Sequence, residues 1–250
     1  MKSRIIYVGF EPREATAFAV ACHSLRRHCT QPLRIIGLEL TQLREKGLYW
    51  RDHGIVTTKE GTTQMWDRVS DAPIATEFSN SRFLVPTLAG GGLAMFIDCD
   101  VLVREDVRKL FDGVEFGPDF GAKAVYCVHH DYTPTDKVKM DNQIQTRYPR
   151  KLWSSVMIFD CDHPAHRRLT VNEFNNLPGR DLHRFCWLED SQIGTLPEAW
   201  NWLPGHSEAR VASPAIVHYT EGGPWLEKYE CAPFADEWQA EVRLWGRSGR

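Results

Sequence analysis

A chain of 250 residues with 42% hydrophobic and 25% charged residues has the composition of a folded globular domain, which excludes a disordered chain, a collagen-like repeat and a bundle of membrane helices. Its length suits one sizeable α/β domain. The net charge of −3 provides too little positive charge for binding to a phosphate backbone, so nucleic acid is not an expected partner.

The first forty residues predict a βαβ unit. Residues 4–8 are rich in β-branched side chains, residues 16–28 place apolar side chains at helical spacing, and residues 33–40 form a second apolar run. A strand, a helix and a strand in this order are typical of a parallel, doubly wound sheet.

The next predicted strand is the most informative one. Residues 41–72 have no strong periodicity, and residues 74–88 are predicted to form a helix that ends at three consecutive glycines. Residues 93–97 are continuously apolar, as in a strand buried on both faces, and are followed at once by Asp98 and Asp100. Open α/β sheets bind ligands at the C-terminal ends of their strands, so both carboxylates are expected at a binding site.

The second half of the chain is predicted to complete a mixed sheet. Buried strands are expected at residues 122–128, 155–159 and 215–219, and a helix with a loop is expected over residues 164–182. Residues 247–250 are expected to form a flexible tail.

The cysteines and the apolar segments predict a cytoplasmic location. Seven cysteines without a C-x-x-C pair fit neither a disulfide framework nor a zinc knuckle, and are expected to be reduced thiols. Glu11 and Arg13 interrupt the first apolar run, which argues against a signal peptide. The longest uncharged stretch, residues 83–97, contains Pro86 and is too short for a transmembrane helix. Membrane contact is therefore expected to be peripheral only.

Asp98 and Asp100 could bind a divalent cation. Two carboxylates two residues apart can approach one Mg²⁺ or Mn²⁺ ion. The alternative is that they cap a helix over residues 103–111. His218 lies at the end of the strand predicted at residues 215–219, so it could complete an Asp, Asp, His site, or be a packed, hydrogen-bonded histidine. A nitrogen ligand would favour Mn²⁺ over Mg²⁺.

The same aspartates allow a second chemical interpretation. The segment FIDCDVLV also fits the first motif of the haloacid-dehalogenase phosphatases, in which Asp98 would be a phosphoryl nucleophile and Asp100 an acid or base. That family places the motif on the first strand of its core and has a later paired acidic motif. Here about ninety residues come first, and no Asp-Asp pair exists in the chain.

Other candidate residues have a functional and a structural interpretation. Arg82 could bind a phosphate, or form an ion pair. Gly222 and Gly223 allow an anion to approach the backbone, or form a tight turn. Trp200 and Trp202 could stack on a sugar, but are expected to pack in the core.

Six segments together resemble the GT-A glycosyltransferases, and most closely family eight, which includes glycogenin and bacterial lipopolysaccharide galactosyltransferases. The segments are FEPREATAFAVACHSL, SRFLVP, FIDCDVLV, WSSVMIFD, LEDSQIG with WNWLP, and VHYTEGGPW, and they occur in the order of that family. The resemblance implies a single GT-A domain over residues 1–246, with a nucleotide-binding half at residues 1–110 and an acceptor and metal-completing half at residues 111–246. The implied sheet is mixed, mostly parallel and flanked by helices.

The resemblance also implies roles for particular residues. Asp98, Asp100 and His218 would bind Mn²⁺ or Mg²⁺ at the diphosphate of the donor. Asp190 would grip the donor sugar near the reacting carbon, with help from Gln192.

Further residues of the resemblance concern donor binding. Glu11 would face the uracil, and Arg82 would contact the donor phosphate or sugar. Ser154 and Ser155 stand where family eight has Asn-Ser-Gly. In its last motif, which runs from His218 to Trp225, Gly223 replaces a lysine. The donor-binding candidates are therefore Glu11, Arg82, Ser154, Ser155, Gly222, Gly223 and Trp225, and Lys228 or Arg147 could replace the lost cation.

The implied function is a metal-dependent, retaining transfer of a hexose from a UDP-sugar to a glycan, a lipid-linked glycan or a protein. The departing phosphate would take the acceptor proton, or Asp190 would act as a transient nucleophile. Two alternatives remain, namely the phosphatase and a nucleotide-sugar-binding module that has lost catalysis together with the lysine and the asparagine.

Overall fold

A computed structural model describes residues 2–57, 61, 63–131, 138–139, 143–144, 150, 152–207 and 210–248, with only the backbone described at 138–139 and 143–144. The strands are, in chain order, β1 (Arg4–Gly9), β2 (Arg34–Leu38), β3 (His53–Thr57), β4 (Thr63–Asp67), β5 (Ala72–Ile74), β6 (Leu93–Ile97), β7 (Val101–Val103), β8 (Val125–Cys127), β9 (Val138–Lys139), β10 (Gln143–Ile144), β11 (Val156–Asp160), β12 (Ile193–Thr195) and β13 (Ile216–His218). The α-helices are α1 (Ala15–His28), α2 (Leu40–Glu45), α3 (Val85–Ala89), α4 (Arg108–Glu115), α5 (Val171–Asn176), α6 (Gly179–His183) and α7 (Ala235–Arg247).

The central sheet has the strand order β12-β8-β11-β6-β1-β2. Strand β11 is antiparallel to both of its neighbours, whereas the pairs β12–β8, β6–β1 and β1–β2 are parallel. The predicted mixed, mostly parallel sheet is thus confirmed. Its first three elements, β1, α1 and β2, form the predicted βαβ unit.

The register of this sheet brings the start of β11 to the end of β6. Val8 of β1 and Val156 of β11 both pair with Ile97, the last residue of β6. The backbone N–H of Asp98 then donates to the carbonyl of Ser155 at 3.0 Å. All five residues of β6 are buried. Asp98 is the first residue after the strand that solvent reaches.

After Asp100 the chain leaves the central sheet. It forms β7, which pairs with β13 so that Val101 lies opposite His218, and the N–H of Tyr219 donates to the carbonyl of Asp100 at 2.9 Å. The expected strand at residues 215–219 therefore exists as β13, but in a separate two-stranded sheet. A helix over residues 103–111 is not formed, because this pairing extends the chain, and α4 begins only at Arg108.

Two other expectations differ from the structure. Strands β3, β4 and β5 form a separate antiparallel sheet, which the sequence did not indicate because residues 41–72 are polar and have no strong periodicity. Residues 74–88 are not one helix. Instead, a turn in which the Thr76 N–H donates to the Ser79 hydroxyl at 3.2 Å precedes a short 3-10 helix, Ser81–Leu84, and α3.

Two apolar clusters fill the interior. The larger one surrounds the central sheet and contains Trp200, and the smaller one contains Trp202 and Trp238. The two candidate tryptophans of the WNWLP segment therefore pack in the core, as expected. Helix α7 is joined to α1 by the buried Glu241, which accepts hydrogen bonds from Arg27.

Other expectations concern thiols, membrane spans and the tail. All seven cysteines are free thiols. Among the helices of the described residues, none combines the length and apolarity that a bilayer-crossing segment needs. Helix α7 includes Arg247, and residues 249–250 of the expected tail lie outside the described residues.

We predict that Gly92→Ala destabilises the protein more than Gly90→Ala. Both glycines have positive φ, at +77° and +69°, so both alanines cost about 1 kcal/mol of backbone strain. A Cβ at Gly92 would also lie 2.6 Å from the carbonyl oxygen of Ser3, whereas Gly90 has no neighbour within 4 Å. We expect a loss of about 3 kcal/mol for Gly92→Ala in urea unfolding, and equal losses would contradict the packing argument.

Candidate metal site

Asp98, Asp100 and His218 meet at the C-terminal edge of β6. Each offers one ligand atom, and these atoms all lie within 4.8 Å of one another. The His218 side chain is fully buried, and those of Asp98 and Asp100 are 13% and 12% exposed. The expected triad is therefore present as a cluster that solvent reaches only through the carboxylates.

The geometry of the cluster fits a divalent cation. Nε2 of His218 lies 3.3 Å from Oδ1 of Asp100 and 3.8 Å from Oδ2 of Asp98. This nitrogen is buried and makes no hydrogen bond within the described residues. Two carboxylates and one imidazole are a donor set that suits Mn²⁺.

Arg82 lies directly behind Asp98. Its Nη1 is 2.8 Å from Oδ1 of Asp98, and the same nitrogen donates to the carbonyl of Ser154 at 2.8 Å. Its guanidinium also lies over the rings of Phe96 and Phe78, at 4.8 Å and 5.3 Å. The structure thus shows the ion pair that was one of the two interpretations of this arginine.

Glu14 is a buried acid that the sequence analysis did not single out. Its Oε2 accepts a hydrogen bond from the thiol of Cys99 at 3.6 Å, between the two aspartates in sequence. Burial, followed by the nearby charges of Asp100 and Glu11, raises the pKa of Glu14 to about 8. Glu14 belongs to the FEPREATAFAVACHSL segment, in which only Glu11 was assigned a role, and its place beside Cys99 follows from the fold.

His130 and Asn201 lie on the other side of His218. Oδ1 of Asn201 is 2.9 Å from Nδ1 of His218. Burial, followed by the charge of His218, lowers the pKa of His130 to about 4, so this imidazole is neutral near pH 7. Asn201 belongs to the WNWLP segment, in which the sequence analysis considered only the tryptophans.

Glu11 is buried at the end of β1 and has partners of its own. Its Oε1 accepts from Nε of Arg13 at 2.7 Å, and its Oε2 accepts from the backbone N–H of Glu77 at 2.9 Å. These contacts attach the residues after β5 to β1. A contact of Glu11 with uracil stays a prediction.

Ser154 and Ser155 are buried beside the metal site, at the start of β11. The hydroxyl of Ser154 lies 2.7 Å from Nδ1 of His183, and the hydroxyl of Ser155 donates to the carbonyl of Leu152 at 2.8 Å. Asn201 donates to the Ser155 hydroxyl at 2.9 Å. Both serines therefore have partners within the protein, and donor binding by them stays a prediction.

The glycines after β13 are required by close packing. Gly222 has a φ of +130°, and a Cβ there would lie 2.5 Å from the ring of Tyr229. A Cβ at Gly223 would lie 2.0 Å from the ring of Trp225. Trp225 itself packs against Trp238, with ring centroids 5.4 Å apart. These contacts account for both glycines structurally, and their role at a diphosphate stays a prediction.

Lys228 and Arg147 are the two candidates to replace the cation that is lost at Gly223. The ammonium of Lys228 lies 5.0 Å from the ring centroid of Tyr229. Arg147 lies outside the described residues.

Asp190 and Gln192 share a 3-10 turn just before β12. The side chain of Asp190 is 87% exposed and forms an ion pair with Arg150. Oε1 of Gln192 accepts from the backbone N–H of Glu189 at 3.0 Å. Both side chains therefore have local partners at the surface.

The strand register separates this turn from the metal site. Ile193, which begins β12, is aligned through β8 and β11 with Ala94, near the start of β6. Because β12 runs in the same direction as β6, a turn before β12 lies toward the edge opposite the two carboxylates. The register by itself does not place Asp190 or Gln192 beside the triad, and their catalytic role stays a prediction from the resemblance.

Helix α6, in contrast, contacts residues that surround the site. A Cβ at Gly179 would lie 2.6 Å from Oδ1 of Asn80, and His183 contacts Ser154, whose carbonyl binds Arg82. The segment GRDLH carries no motif, so the sequence analysis did not connect it with the site.

Comparison with solved structures defines the fold. The bifunctional glycosyltransferase WbbM, in its apo form, superposes with a TM-score of 0.61 and 15% identity, over 96% of this chain and 50% of that chain. The galactosyltransferase LgtC, in complex with donor and acceptor sugar analogs, gives a TM-score of 0.59 and 13% identity, over 96% of this chain and 95% of that one. The chain thus spans half the length of WbbM and has the GT-A fold.

Comparison with curated proteins defines the family. Protein CDI of Arabidopsis thaliana is 39% identical over 250 aligned residues, which cover 98% of this chain and 88% of that protein. The chain belongs to the same family as Protein CDI. No family model matches the chain.

We predict that Glu14→Gln stabilises the metal-free protein more at pH 8 than at pH 5. A folded-state pKa of about 8 means that the folded protein keeps a proton that the unfolded chain releases above pH 4.5, so wild-type stability falls as the pH rises across this interval. Glutamine does not titrate. Between pH 5 and pH 8 the free energy of unfolding of the variant should therefore rise by on the order of 3 kcal/mol relative to that of wild type. Urea unfolding in EDTA measures this gain.

The exposed Glu227 provides the control for this measurement. Glu227→Gln measures the effect of removing an exposed carboxylate at both pH values, and a pH-independent effect of Glu14→Gln would refute the raised pKa.

Proposed function

We propose that the protein is a metal-dependent, retaining glycosyltransferase that moves a hexose from a UDP-sugar to an acceptor. The observation that carries this proposal is the convergence of Asp98, Asp100 and His218 at the C-terminal edge of the sheet in a GT-A fold. The glycosyltransferases among the structural neighbours support it, and LgtC is described with donor and acceptor sugar analogs.

Asp98, Asp100 and His218 would hold Mn²⁺ or Mg²⁺. When bound, such an ion neutralises charge on the diphosphate as the bond to the sugar breaks. Arg82 restrains Asp98 through Oδ1 and leaves Oδ2 facing His218. The ion pair also offsets one of the two negative charges, so the empty site does not carry the full repulsion of two carboxylates.

The remaining roles follow the resemblance. We propose that Glu11 lies at the base of the donor, that Ser154, Ser155 and the glycines 222 and 223 line its sugar and diphosphate, and that Asp190 or Gln192 acts on the donor sugar. Acceptors of the proposed class are glycans, lipid-linked glycans and proteins. A cytoplasmic location is proposed on the seven unpaired thiols.

The alternatives differ in the support that they have. The phosphatase interpretation needs its aspartates on the first strand of the core, whereas Asp98 and Asp100 follow β6, which is preceded by the β1-α1-β2 unit. A module that binds donor without turnover remains the alternative outcome of the assay.

A donor screen tests the proposal. The protein is incubated with single nucleotide sugars and Mn²⁺, and released UDP is measured beside phosphate release from generic phosphomonoesters. UDP release from one donor supports the transferase. Donor binding without UDP release would indicate a nucleotide-sugar-binding module that has lost catalysis. Phosphate release alone would indicate the phosphatase.

We predict that Asp98→Asn and Asp100→Asn each lower turnover at saturating donor by at least about a hundredfold. Asp100→Asn should keep its stability, because the amide reduces the repulsion within a metal-free site, whereas Asp98→Asn also removes the charge that pairs with the buried Arg82 and should be less stable. The matched control is Asp52→Asn, since Asp52 is exposed and pairs only with the exposed Arg68 among the ion pairs of the described residues. Near-normal turnover of either site variant, measured as UDP release, would show that the aspartates do not form the metal site.

We predict that EDTA abolishes the activity and that Mn²⁺ restores it better than Ca²⁺. Calcium favours a larger shell made of oxygen ligands, whereas the imidazole of His218 suits a transition metal. The measurement is the rate of UDP release after addition of each ion to the chelated protein. Full activity in EDTA would contradict the metal dependence.

A further inference from the structure

The imidazole of His218 is held by a hydrogen bond on the side opposite the aspartates. Its Nδ1 lies 2.9 Å from Oδ1 of Asn201, and both residues are fully buried. In a neutral histidine, the nitrogen that carries the proton is set by the hydrogen bond that the ring makes. The orientation of the Asn201 amide therefore decides which nitrogen of His218 faces the metal site with a lone pair.

A backbone carbonyl fixes the orientation of this amide. Nδ2 of Asn201 lies 2.9 Å from the hydroxyl of Ser155 and 3.4 Å from the carbonyl of Leu152. The Ser155 hydroxyl itself donates to that carbonyl at 2.8 Å, so it accepts from Asn201. A flipped amide would place two acceptor oxygens against each other, because the Leu152 carbonyl cannot donate. Oδ1 of Asn201 therefore faces Nδ1 of His218 and requires a proton there.

The backbone around this network is itself constrained. Leu152 has a φ of +66°, in the left-handed region that a leucine rarely adopts. Its carbonyl receives both donors in this conformation. Such outliers persist where the surrounding structure holds them, and they concentrate at functional sites.

Asn201 is placed next to His218 by main-chain pairing. The N–H of Trp202 donates to the carbonyl of Ile216 at 3.0 Å, and the N–H of His218 donates to the carbonyl of Trp202 at 2.8 Å. The flanking Trp200 and Trp202 are buried. The side chain of Asn201 is therefore held beside the imidazole by its neighbours.

The two aspartates compete with Asn201 for the proton of His218. A proton on Nε2 could be donated to Oδ1 of Asp100, which lies 3.3 Å away, and the ring would then have no lone pair for a metal. The acceptor oxygen of Asn201 opposes this by stabilising the proton on Nδ1. Without that acceptor, the carboxylates would attract the proton to the metal side of the ring.

We propose that Asn201 is a positioning residue that holds His218 as the Nδ1–H tautomer, so that the lone pair of Nε2 faces Asp98 and Asp100. Ser155 and the Leu152 carbonyl orient the Asn201 amide for this task. This proposal rests on the proposed metal site. It gives Ser155 the role of orienting Asn201, which in turn holds His218. Outer hydrogen-bond partners of this kind typically change metal affinity about 10- to 100-fold.

The test compares three substitutions with a control. Asn201→Leu removes the acceptor at similar volume, Asn201→Asp keeps an acceptor for Nδ1–H, and Ser155→Ala removes one contact of the amide. The control is Asn175→Leu, because Asn175 is equally buried and its amide binds the Leu48 and Val171 carbonyls and the Trp50 N–H. The readouts are the ¹⁵N shifts of His218 in the metal-free protein and Mn²⁺ affinity by electron paramagnetic resonance.

The expected results separate positioning from general stability. Wild type and Asn201→Asp should show Nδ1–H, whereas Asn201→Leu should shift the proton to Nε2 and weaken Mn²⁺ binding about 10- to 100-fold. Ser155→Ala should act in the same direction by a smaller factor. Asn175→Leu should lower the melting temperature and leave the tautomer and the Mn²⁺ affinity unchanged.

The proposal is overturned if wild type carries the proton on Nε2, or if Asn201→Leu binds Mn²⁺ as wild type does. If the His218 imidazole carries both protons in the metal-free protein, it has no tautomer to compare. The Mn²⁺ affinities of the four variants then test the proposal by themselves. If Asn201→Leu shifts the tautomer of His218 but the wild-type protein binds no Mn²⁺, the positioning by Asn201 is supported and the proposed metal site is refuted.

Discussion

Two carboxylates follow a strand that is buried on both faces, and the surrounding structure depends on how their charge is held. Charged groups at such a position need partners, because burial otherwise disfavours their ionised form. Arg82 supplies a fixed positive charge behind Asp98. Burial and the charges of Asp100 and Glu11 raise the pKa of the neighbouring Glu14. With Arg82 offsetting the charge of Asp98, the charge of Asp100 remains for a divalent cation to neutralise.

His218, the third member of the cluster, reaches this site through a second, smaller sheet. Strand β7 turns away from the central sheet directly after Asp100, and its pairing with β13 brings His218 back over more than a hundred residues of chain. The WNWLP segment then adds Asn201 on the far side of the imidazole. The cluster of Asp98, Asp100 and His218 and the packing of the smaller apolar cluster are thus produced by the same few strands.

Local patterns in the sequence were enough to predict the central sheet and the residues at the ends of its strands. The continuous apolar run of β6 and the alternation of strand and helix in β1-α1-β2 were sufficient for the sheet, and strand ends were sufficient for Asp98, Asp100 and His218. Sheet β3-β4-β5 was not predicted, because its segments are polar and mixed and show no regular alternation of apolar and polar residues. Asn201 and Glu14 act through distant neighbours, so spacing along the chain contains no signal for them. The role of Asp190 rests on similarity of motif alone and stays a prediction.

The central claim is that Asp98, Asp100 and His218 bind one cation together. Crystals grown with Mn²⁺ and UDP, with diffraction recorded on both sides of the manganese absorption edge, test it most directly. The account predicts one anomalous peak within bonding distance of Nε2 of His218 and of one oxygen from each aspartate. A peak elsewhere in the molecule, or UDP bound with no peak between these three side chains, would contradict it.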